Sequence, residues 1–149
     1  MEDRHISSLF DNDLEKIQAH IMKMGGMVEL AISNATKSFV SKDIELAEEV
    51  RKGDVAIDEM ETLINEEAAR VIALRAPTAI DLRIILSVIR VSGNLERIGD
   101  YAKNMAERTG ILIQMHDIEN AAKSLRRLTR EVGLMLKDAL DAYVRREVT

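Results

Sequence analysis

Apolar residues recur at alternating spacings of three and four along four long segments of the chain. This spacing places them on one face of a helix, as in a helical bundle. The pattern therefore predicts four long amphipathic helices and an all-α fold. The apolar positions of the four segments are Phe10, Leu14, Ile17, Ile21, Met24, Val28, Ala31, Ala35 and Phe39; Leu46, Val50, Gly53, Ile57, Met60, Ile64, Val71 and Leu74; Ile84, Val88, Val91, Leu95, Ile98, Ala102, Met105 and Leu112; and Ile118, Ala121, Leu125, Leu128, Val132, Met135, Ala139 and Ala142.

Three short breaks separate these segments. Residues 41–43 (Ser-Lys-Asp) predict a turn that ends in an N-cap aspartate. Pro77 predicts the second break, because proline disfavours a helical residue before it and suits the first turn of the next helix. The third connection is expected within 110–117, although residues 111–115 could extend the third helix. Because short connections join antiparallel neighbours, we expect an antiparallel three-helix bundle over 1–115 and a fourth long helix within 116–149.

The fourth segment resembles the first when the chain is shifted by 104 residues. Ile21 then matches Leu125, and the agreement extends beyond the apolar face, where Leu30 matches Leu134. This repeat predicts that 116–149 is the first helix of an incomplete second repeat, in a chain that is a partial version of a longer tandem. We expect its apolar stripe to pack on the first bundle or on another subunit.

Composition narrows the function classes. The chain has 149 residues, a net charge of -5, no cysteine and 3% aromatic residues. Its basic residues form no stripe with aromatics beside them, so nucleic acid is not an expected partner. The absence of cysteine excludes disulfides and thiolate chemistry. No signal peptide or membrane span is predicted, because even the most apolar stretch, 84–91, contains Ser87 and Arg90. A cytoplasmic protein is expected.

Two pairs of carboxylates four residues apart are the main candidates for chemistry, Asp54 with Asp58 and Glu96 with Asp100. Like charges at this spacing repel on a helix surface. Both pairs are expected to flank the apolar face by one position. If the second and third helices are antiparallel, the two pairs can form one acidic patch. A cation bound there would offset the repulsion between the carboxylates. Oxygen ligands favour Mg, Ca or Mn, and iron also binds in carboxylate clusters.

Two further side chains could add oxygen ligands to this patch, Glu61 and, less directly, Asn104. Spacing alone does not decide the question, however. The same spacing occurs in two pairs for which no site is proposed, Asp11 with Glu15 and Glu45 with Glu49.

Glycines interrupt two of the predicted helices. Gly99 is expected on the helix surface between Glu96 and Asp100, where a missing side chain would admit a neighbouring helix or a cation. Gly25 and Gly26 predict a kink or a close approach of another helix.

Other chemistry is weakly indicated. Glu2 and His5 match the ExxH spacing of di-iron carboxylate bundles, but those bundles need a second copy on another helix. His20 and His116 lack a glutamate three residues before them. The methionines read as core residues, and no motif indicates catalysis, so no enzymatic activity is expected.

Four stretches together resemble the PhoU family of bacterial phosphate-uptake regulators. They are KMGGMVE (23–29), GDVAIDEMET (53–62), ALRAPTAIDLR (73–83) and NLERIGDYAKNMAE (94–107). The resemblance implies a fold of tandem three-helix bundles. It also implies metal binding by an acidic residue followed four positions later by aspartate, which Asp54–Asp58 and Glu96–Asp100 match. The metal would be oxygen-ligated Fe, Zn, Mn, Mg or Ca.

The resemblance further implies a negative regulator of phosphate uptake and of the phosphate-starvation response. Such a protein would couple the ATPase subunit of the phosphate ABC transporter to a sensor histidine kinase at the inner face of the membrane, and a homodimer is expected. Asp81 and Arg83 are the candidate partner contacts. An aspartate at this position is equally expected from a favourable interaction with the start of a helix.

Two alternatives of other classes stay open. One is a di-iron or manganese carboxylate oxidoreductase on a helical bundle, which is disfavoured because paired ExxH motifs are missing. The other is a helical interaction module in which the acidic pairs only solvate the surface.

Overall fold

The structure, a computed structural model, consists of four α-helices: α1 (Glu2–Val40), α2 (Ile44–Arg75), α3 (Ala79–Leu112) and α4 (Ile118–Val144). It describes the backbone of residues 2–112 and 118–145 and the side chains of residues 9–109, 111 and 122–145. Helices α1, α2 and α3 each pack against the other two, and α4 packs against α1. The all-α prediction is confirmed. Within the described ranges, no helix is both long and apolar enough to cross a membrane.

The core of the bundle lies between α1, α2 and α3. From α1, the side chains of Ile17, Ile21, Met24 and Val28 are fully buried, as the apolar pattern predicts. Burying an aliphatic side chain of this size contributes about 1.5–3 kcal/mol relative to leaving it exposed. This face of α1 therefore holds the three helices together.

The buried faces of α2 and α3 are displaced slightly from the predicted ones. Gly53 and Leu74 were expected to be buried and are exposed. The buried line of α2 runs instead through Asp54, and that of α3 through Gly99. The prediction that both carboxylate pairs flank the apolar face is therefore wrong for Asp54. Gly99 is buried, and the close approach of a neighbouring helix predicted there is confirmed. A polarity pattern misses such positions because neither residue is apolar, although each continues the helical spacing of its buried neighbours.

The predicted breaks at Asp43 and Pro77 are confirmed. Asp43 caps α2, its Oδ1 accepting a hydrogen bond of 3.0 Å from the Leu46 amide. Lys42 turns the chain with a φ of 55°. Helix α2 ends at Arg75, and Ala76 adopts the left-handed conformation before Pro77. At the third connection α3 continues to Leu112, and residues 113–117 lie outside the described residues.

Helix α4 approaches α1 closely at Gly25. A Cβ atom on Gly25 would lie 2.5 Å from Leu140 Cδ1, so the missing side chain makes a notch for Leu140. A Cβ on Gly26 would meet nothing within 4 Å. The close approach predicted for this glycine pair is thus confirmed at Gly25. Further along, the hydroxyls of Thr36 on α1 and Thr129 on α4 are 2.5 Å apart.

The face that α4 turns to α1 also differs from the predicted one. Leu136, Leu140 and Tyr143 are buried, whereas Leu128 and Met135 are 55% and 69% exposed. The predicted packing of this helix on the first bundle is confirmed, with an apolar strip left exposed.

Candidate metal centre

The antiparallel packing of α2 on α3 places the two predicted carboxylate pairs opposite each other. Gly99 faces Ile57, and a Cβ at Gly99 would lie 3.3 Å from both Ile57 Cδ1 and Ile57 Cγ2. Two turns away, Ser92 Oγ donates a hydrogen bond of 3.4 Å to Asn65 Oδ1. Glycine at position 99 therefore allows the helices to approach closely at the level of Asp54, whose Oδ1 would be 3.7 Å from that Cβ.

Asp54 is the most buried carboxylate of this group, with 5% of its surface exposed. Its Oδ1 has no hydrogen-bond partner among the described residues. Its Oδ2 lies 3.9 Å from Lys103 Nζ, a long ion pair. Burial raises the pKa of Asp54, and the charge of Asp58 raises it further, while Lys103 opposes the shift. The negative charge of Asp54 is therefore incompletely compensated.

Neighbouring carboxylates on α2 and α3 act electrostatically on Asp54 and on one another. Burial and then the charges of Glu61, Asp58 and Asp100 raise the pKa of Glu96. Burial and Asp58 raise the pKa of Glu61, which reaches across to α3 beside Gly93. We call the set of Asp54, Asp58, Glu61, Glu96 and Asp100 the carboxylate ridge. Both predicted pairs and Glu61 belong to it, whereas Asn104 is exposed on α3.

The ridge contains the oxygen ligands that a hard cation prefers, but they do not converge on one point. Carboxylate oxygens are the ligands that Mg, Ca and Mn prefer. Within the described residues, no three carboxylate, imidazole or thiol groups converge to hold a metal ion. The Oδ1 of Asp54, which has no hydrogen-bond partner among the described residues, and the raised pKa values of Asp54 and Glu96 mark negative charge that is poorly compensated. The residues thus fit a metal if the more exposed carboxylates turn toward Asp54.

The candidate partner contacts lie at the start of α3. Thr78 Oγ1 donates a hydrogen bond of 3.1 Å to Asp81 Oδ2, a local contact in the first turn. Arg83 is exposed, and its carbonyl accepts a hydrogen bond from Ser87. The structure therefore gives Asp81 a local role, and its role in binding a partner stays a prediction.

The histidine candidates contribute little to the site. The side chains of Glu2, His5 and His116 lie outside the described residues. His20 is partly buried on α1, and its Nδ1 has no hydrogen-bond partner among the described residues.

Sequence reasoning missed a buried carboxylate on α1. Asp13 is 6% exposed, and its two oxygens each lie 3.0 Å from an arginine of α2, Oδ1 from Arg70 Nη2 and Oδ2 from Arg75 Nε. Burial alone would raise the pKa of Asp13, but the hydrogen bonds from Arg75 and Arg70 lower it overall. No local signal reveals this cluster, because its members are far apart in the sequence.

Comparison with known proteins places these observations in a family. The family model described as "PhoU domain" matches residues 21–109. That range includes the whole carboxylate ridge.

Several curated relatives cover nearly the whole chain. The "Phosphate-specific transport system accessory protein PhoU homolog" of Pseudomonas putida is 38% identical over 95% of this chain and 55% of its own length. The "Phosphate-specific transport system accessory protein PhoU" of Escherichia coli K12 is 39% identical over 97% of this chain and 60% of its own. The chain thus spans a little over half the length of these relatives. Their names describe accessory proteins, in agreement with the prediction that the chain is not an enzyme.

The fold matches a solved structure as well. The crystal structure of PhoU from Pseudomonas aeruginosa superposes with a TM-score of 0.85, covering 91% of this chain and 65% of that chain at 37% identity. All four helices are therefore arranged as in a known protein.

Proposed function

This chain belongs to the PhoU family, and from that premise we propose that it is a negative regulator of phosphate uptake that binds metal on the carboxylate ridge. In this proposal it is a non-enzymatic adaptor between the ATPase subunit of a phosphate ABC transporter and a sensor histidine kinase, and it keeps the phosphate-starvation response off when phosphate is plentiful. The names of the relatives, which are accessory proteins of phosphate-specific transport, support the connection with phosphate.

The observation that carries the metal proposal is the buried Oδ1 of Asp54, which has no hydrogen-bond partner among the described residues. The negative charges of Asp58 and Asp100 act on Asp54, and both also act on Glu96. Asp54 and Asp58 on α2 and Glu96 and Asp100 on α3 would hold the cation, with Glu61 at one end. The cation would supply positive charge that joins α2 to α3. Lys103 supplies part of that charge at present. A metal bound here would thus stabilise the contact between these helices.

Metal content after purification without chelator tests this proposal. We expect bound metal in the parent chain and loss of it in Asp54→Ala and Asp100→Ala. The control is Glu45→Ala/Glu49→Ala, which removes an acidic pair of the same spacing away from the ridge. Equal metal loss in the control, or no metal in the parent under supplementation with Fe, Zn, Mn, Mg and Ca, would contradict the metal proposal and favour a plain interaction module.

Regulation is tested separately in a bacterium that lacks its own relative of this chain. We expect expression of the chain to lower the activity of a phosphate-starvation reporter in high phosphate. Asp54→Ala/Asp100→Ala should weaken this repression if metal is needed for it. If the variant loses metal but still represses the reporter, the regulatory role is supported and metal is not required for it. No repression by the parent chain would contradict the regulatory proposal for this chain.

A further inference from the structure

A second, chemically opposite site lies between α1 and α4. A cleft of about 410 Å³ separates the C-terminal part of α1 from the first half of the described part of α4. Three cationic side chains line it, Lys37 from α1 and Arg126 and Arg130 from α4. Among the described residues that line this cleft, none is acidic. A cationic concavity is unexpected in a chain whose net charge is -5.

The three cations lack the partners that neighbouring cations have. Arg127, also on α4, has its Nε 3.4 Å from Glu131 Oε1. Within the part of the chain that the structure describes, neither Arg126, Arg130 nor Lys37 forms an ion pair with another side chain. Arg126 and Arg130 are four residues apart on one helix, where like charges repel. A shared anion would remove that repulsion.

Hydroxyl groups complete the polar wall of the cleft. Ser33 of α1 and Ser41 of the turn after α1 line it, and neither hydroxyl has a hydrogen-bond partner among the described residues. Deeper in the cleft, the hydroxyls of Thr36 and Thr129 bond to each other and join the two helices. Guanidinium groups combined with hydroxyl donors are the usual ligands of tetrahedral oxyanions. The volume is at the lower end of the roughly 300–1,000 Å³ of small-molecule sites, enough for a phosphate or a phosphoryl group with its substituent.

We propose that this cleft binds a phosphate or phosphoryl group, with Arg126 and Arg130 holding its oxygens and Lys37 completing the charge. The adjoining part of the groove is lined by the acidic Glu29 as well as by Lys137, so the cationic end near Lys37 is the place for the anion. The site uses none of the ridge carboxylates and is independent of the proposed metal function. Free phosphate and the phosphate of a lipid headgroup share the recognised chemistry.

Binding of inorganic phosphate to the 149-residue chain tests this proposal, by calorimetry at constant ionic strength with chelator present to remove metal. We expect saturable binding with one site per chain. Arg126→Gln/Arg130→Gln should weaken it roughly tenfold or more, since both guanidinium groups that would donate charge-assisted hydrogen bonds to the anion are removed. Arg126→Lys/Arg130→Lys should lose part of the affinity, because lysine keeps the positive charge but cannot donate a bidentate pair of hydrogen bonds.

The matched control is Lys123→Gln/Arg127→Gln, which removes the same charge from the same helix outside the cleft. We expect its affinity to stay within about twofold of the parent, because neither Lys123 nor Arg127 lines the cleft. Vesicles of phosphatidylglycerol, compared with phosphatidylcholine, give the second arm. Binding that is lost in Arg126→Gln/Arg130→Gln and kept in the control supports the cleft as the binding site. If this loss is seen in calorimetry, the ligand is free phosphate; if it is seen with the vesicles, the ligand is a lipid headgroup. Equal losses in both double variants, or no binding in either arm up to about 10 mM phosphate, would overturn the proposal.

Discussion

Two aspartates of this molecule are buried to nearly the same extent but differ in what surrounds them. Asp13 has an arginine nitrogen 3.0 Å from each oxygen. Asp54 has one lysine nitrogen at 3.9 Å, one oxygen without a hydrogen-bond partner among the described residues, and several carboxylates nearby. Burial raises the pKa of both groups, and only at Asp13 do the partners outweigh it. At neutral pH the charge of Asp13 therefore stabilises the fold, and that of Asp54 destabilises it in the absence of a cation.

Asp54→Asn tests this difference at the ridge. Without metal, we expect the variant to unfold at a higher denaturant concentration than the parent, with a gain on the order of 1 kcal/mol, because a poorly compensated charge is removed. With metal present, the parent should gain stability by mass action and the variant should not. Chemical denaturation with and without chelator measures both effects. A variant that is less stable than the parent under chelation would contradict this account.

Asp13→Asn has the opposite expected sign. The pKa of Asp13 is lowered in the folded state, so its stabilisation is present above the unfolded pKa of about 4 and is lost as pH falls through the folded pKa. We expect the variant to cost about 1–3 kcal/mol at pH 7. The difference from the parent should shrink below about pH 4. Urea unfolding across this pH range measures it, and a constant difference would show that packing, not charge, accounts for the loss.

Alanine at two glycines of the ridge region should have different effects. Gly53→Ala is expected to stabilise the protein by about 0.5–1 kcal/mol, because alanine favours a helix and its Cβ would meet nothing within 4 Å. Gly99→Ala should gain less or lose stability, since its Cβ would lie 3.3 Å from Ile57. Thermal unfolding of the pair provides the comparison. Equal gains at both positions would mean that α2 and α3 separate freely there.

At the residue scale, the sequence predicts the composition of the ridge but not the burial of its members. Spacing and the PhoU resemblance identify both acidic pairs, and the antiparallel order of helices brings them together. That Asp54 is buried follows from the close approach at Gly99, a contact between distant positions. The partners of Asp13 are 57 and 62 residues away, so no local pattern could have found them.

At the scale of elements, Gly25 determines how α4 lies on α1. Gly25→Val is expected to displace Leu140 and loosen α4, because even a Cβ would come within 2.5 Å of Leu140 Cδ1. Gly26→Val is the control, since a Cβ at Gly26 meets nothing within 4 Å. Hydrogen exchange should rise in α4 in the first variant and stay near the parent's in the second. Unchanged protection of α4 in Gly25→Val would show that Leu140 adapts without moving the helix.

Helix number and helix ends were the most predictable features, because each of the first two breaks carries its own local chemistry. Asp43 caps α2 and Pro77 precedes α3, as the sequence predicts. The face that α4 buries was less predictable. The apolar surface of α4 is wider than the surface that α1 buries, so the pattern alone could not decide which side of α4 would face α1.

At the scale of the whole molecule, the exposed strip of α4 gives the predicted homodimer a possible surface. Leu128, Leu134 and Met135 are 55%, 56% and 69% exposed. We expect the parent to self-associate reversibly in sedimentation equilibrium and Met135→Lys to weaken this association. Val55→Lys, at an apolar residue of α2 that is 61% exposed, is the control. A parent that is monomeric at every concentration would contradict the homodimer.

The notch at Gly25 also has a thermodynamic consequence for the opposite end of the α1–α4 contact. Gly25 lies 12 residues before Lys37, about 18 Å along a helix. Because α4 contributes both Leu140 to the notch and Arg130 to the cleft, displacement of α4 at one end changes the distance between α1 and α4 at the other. If the cleft binds an anion as proposed, its affinity and the seating of Leu140 would be linked by a coupling free energy that acts in both directions. An anion in the cleft would hold α4 against α1, and a firmly seated Leu140 would raise the affinity for the anion without touching it.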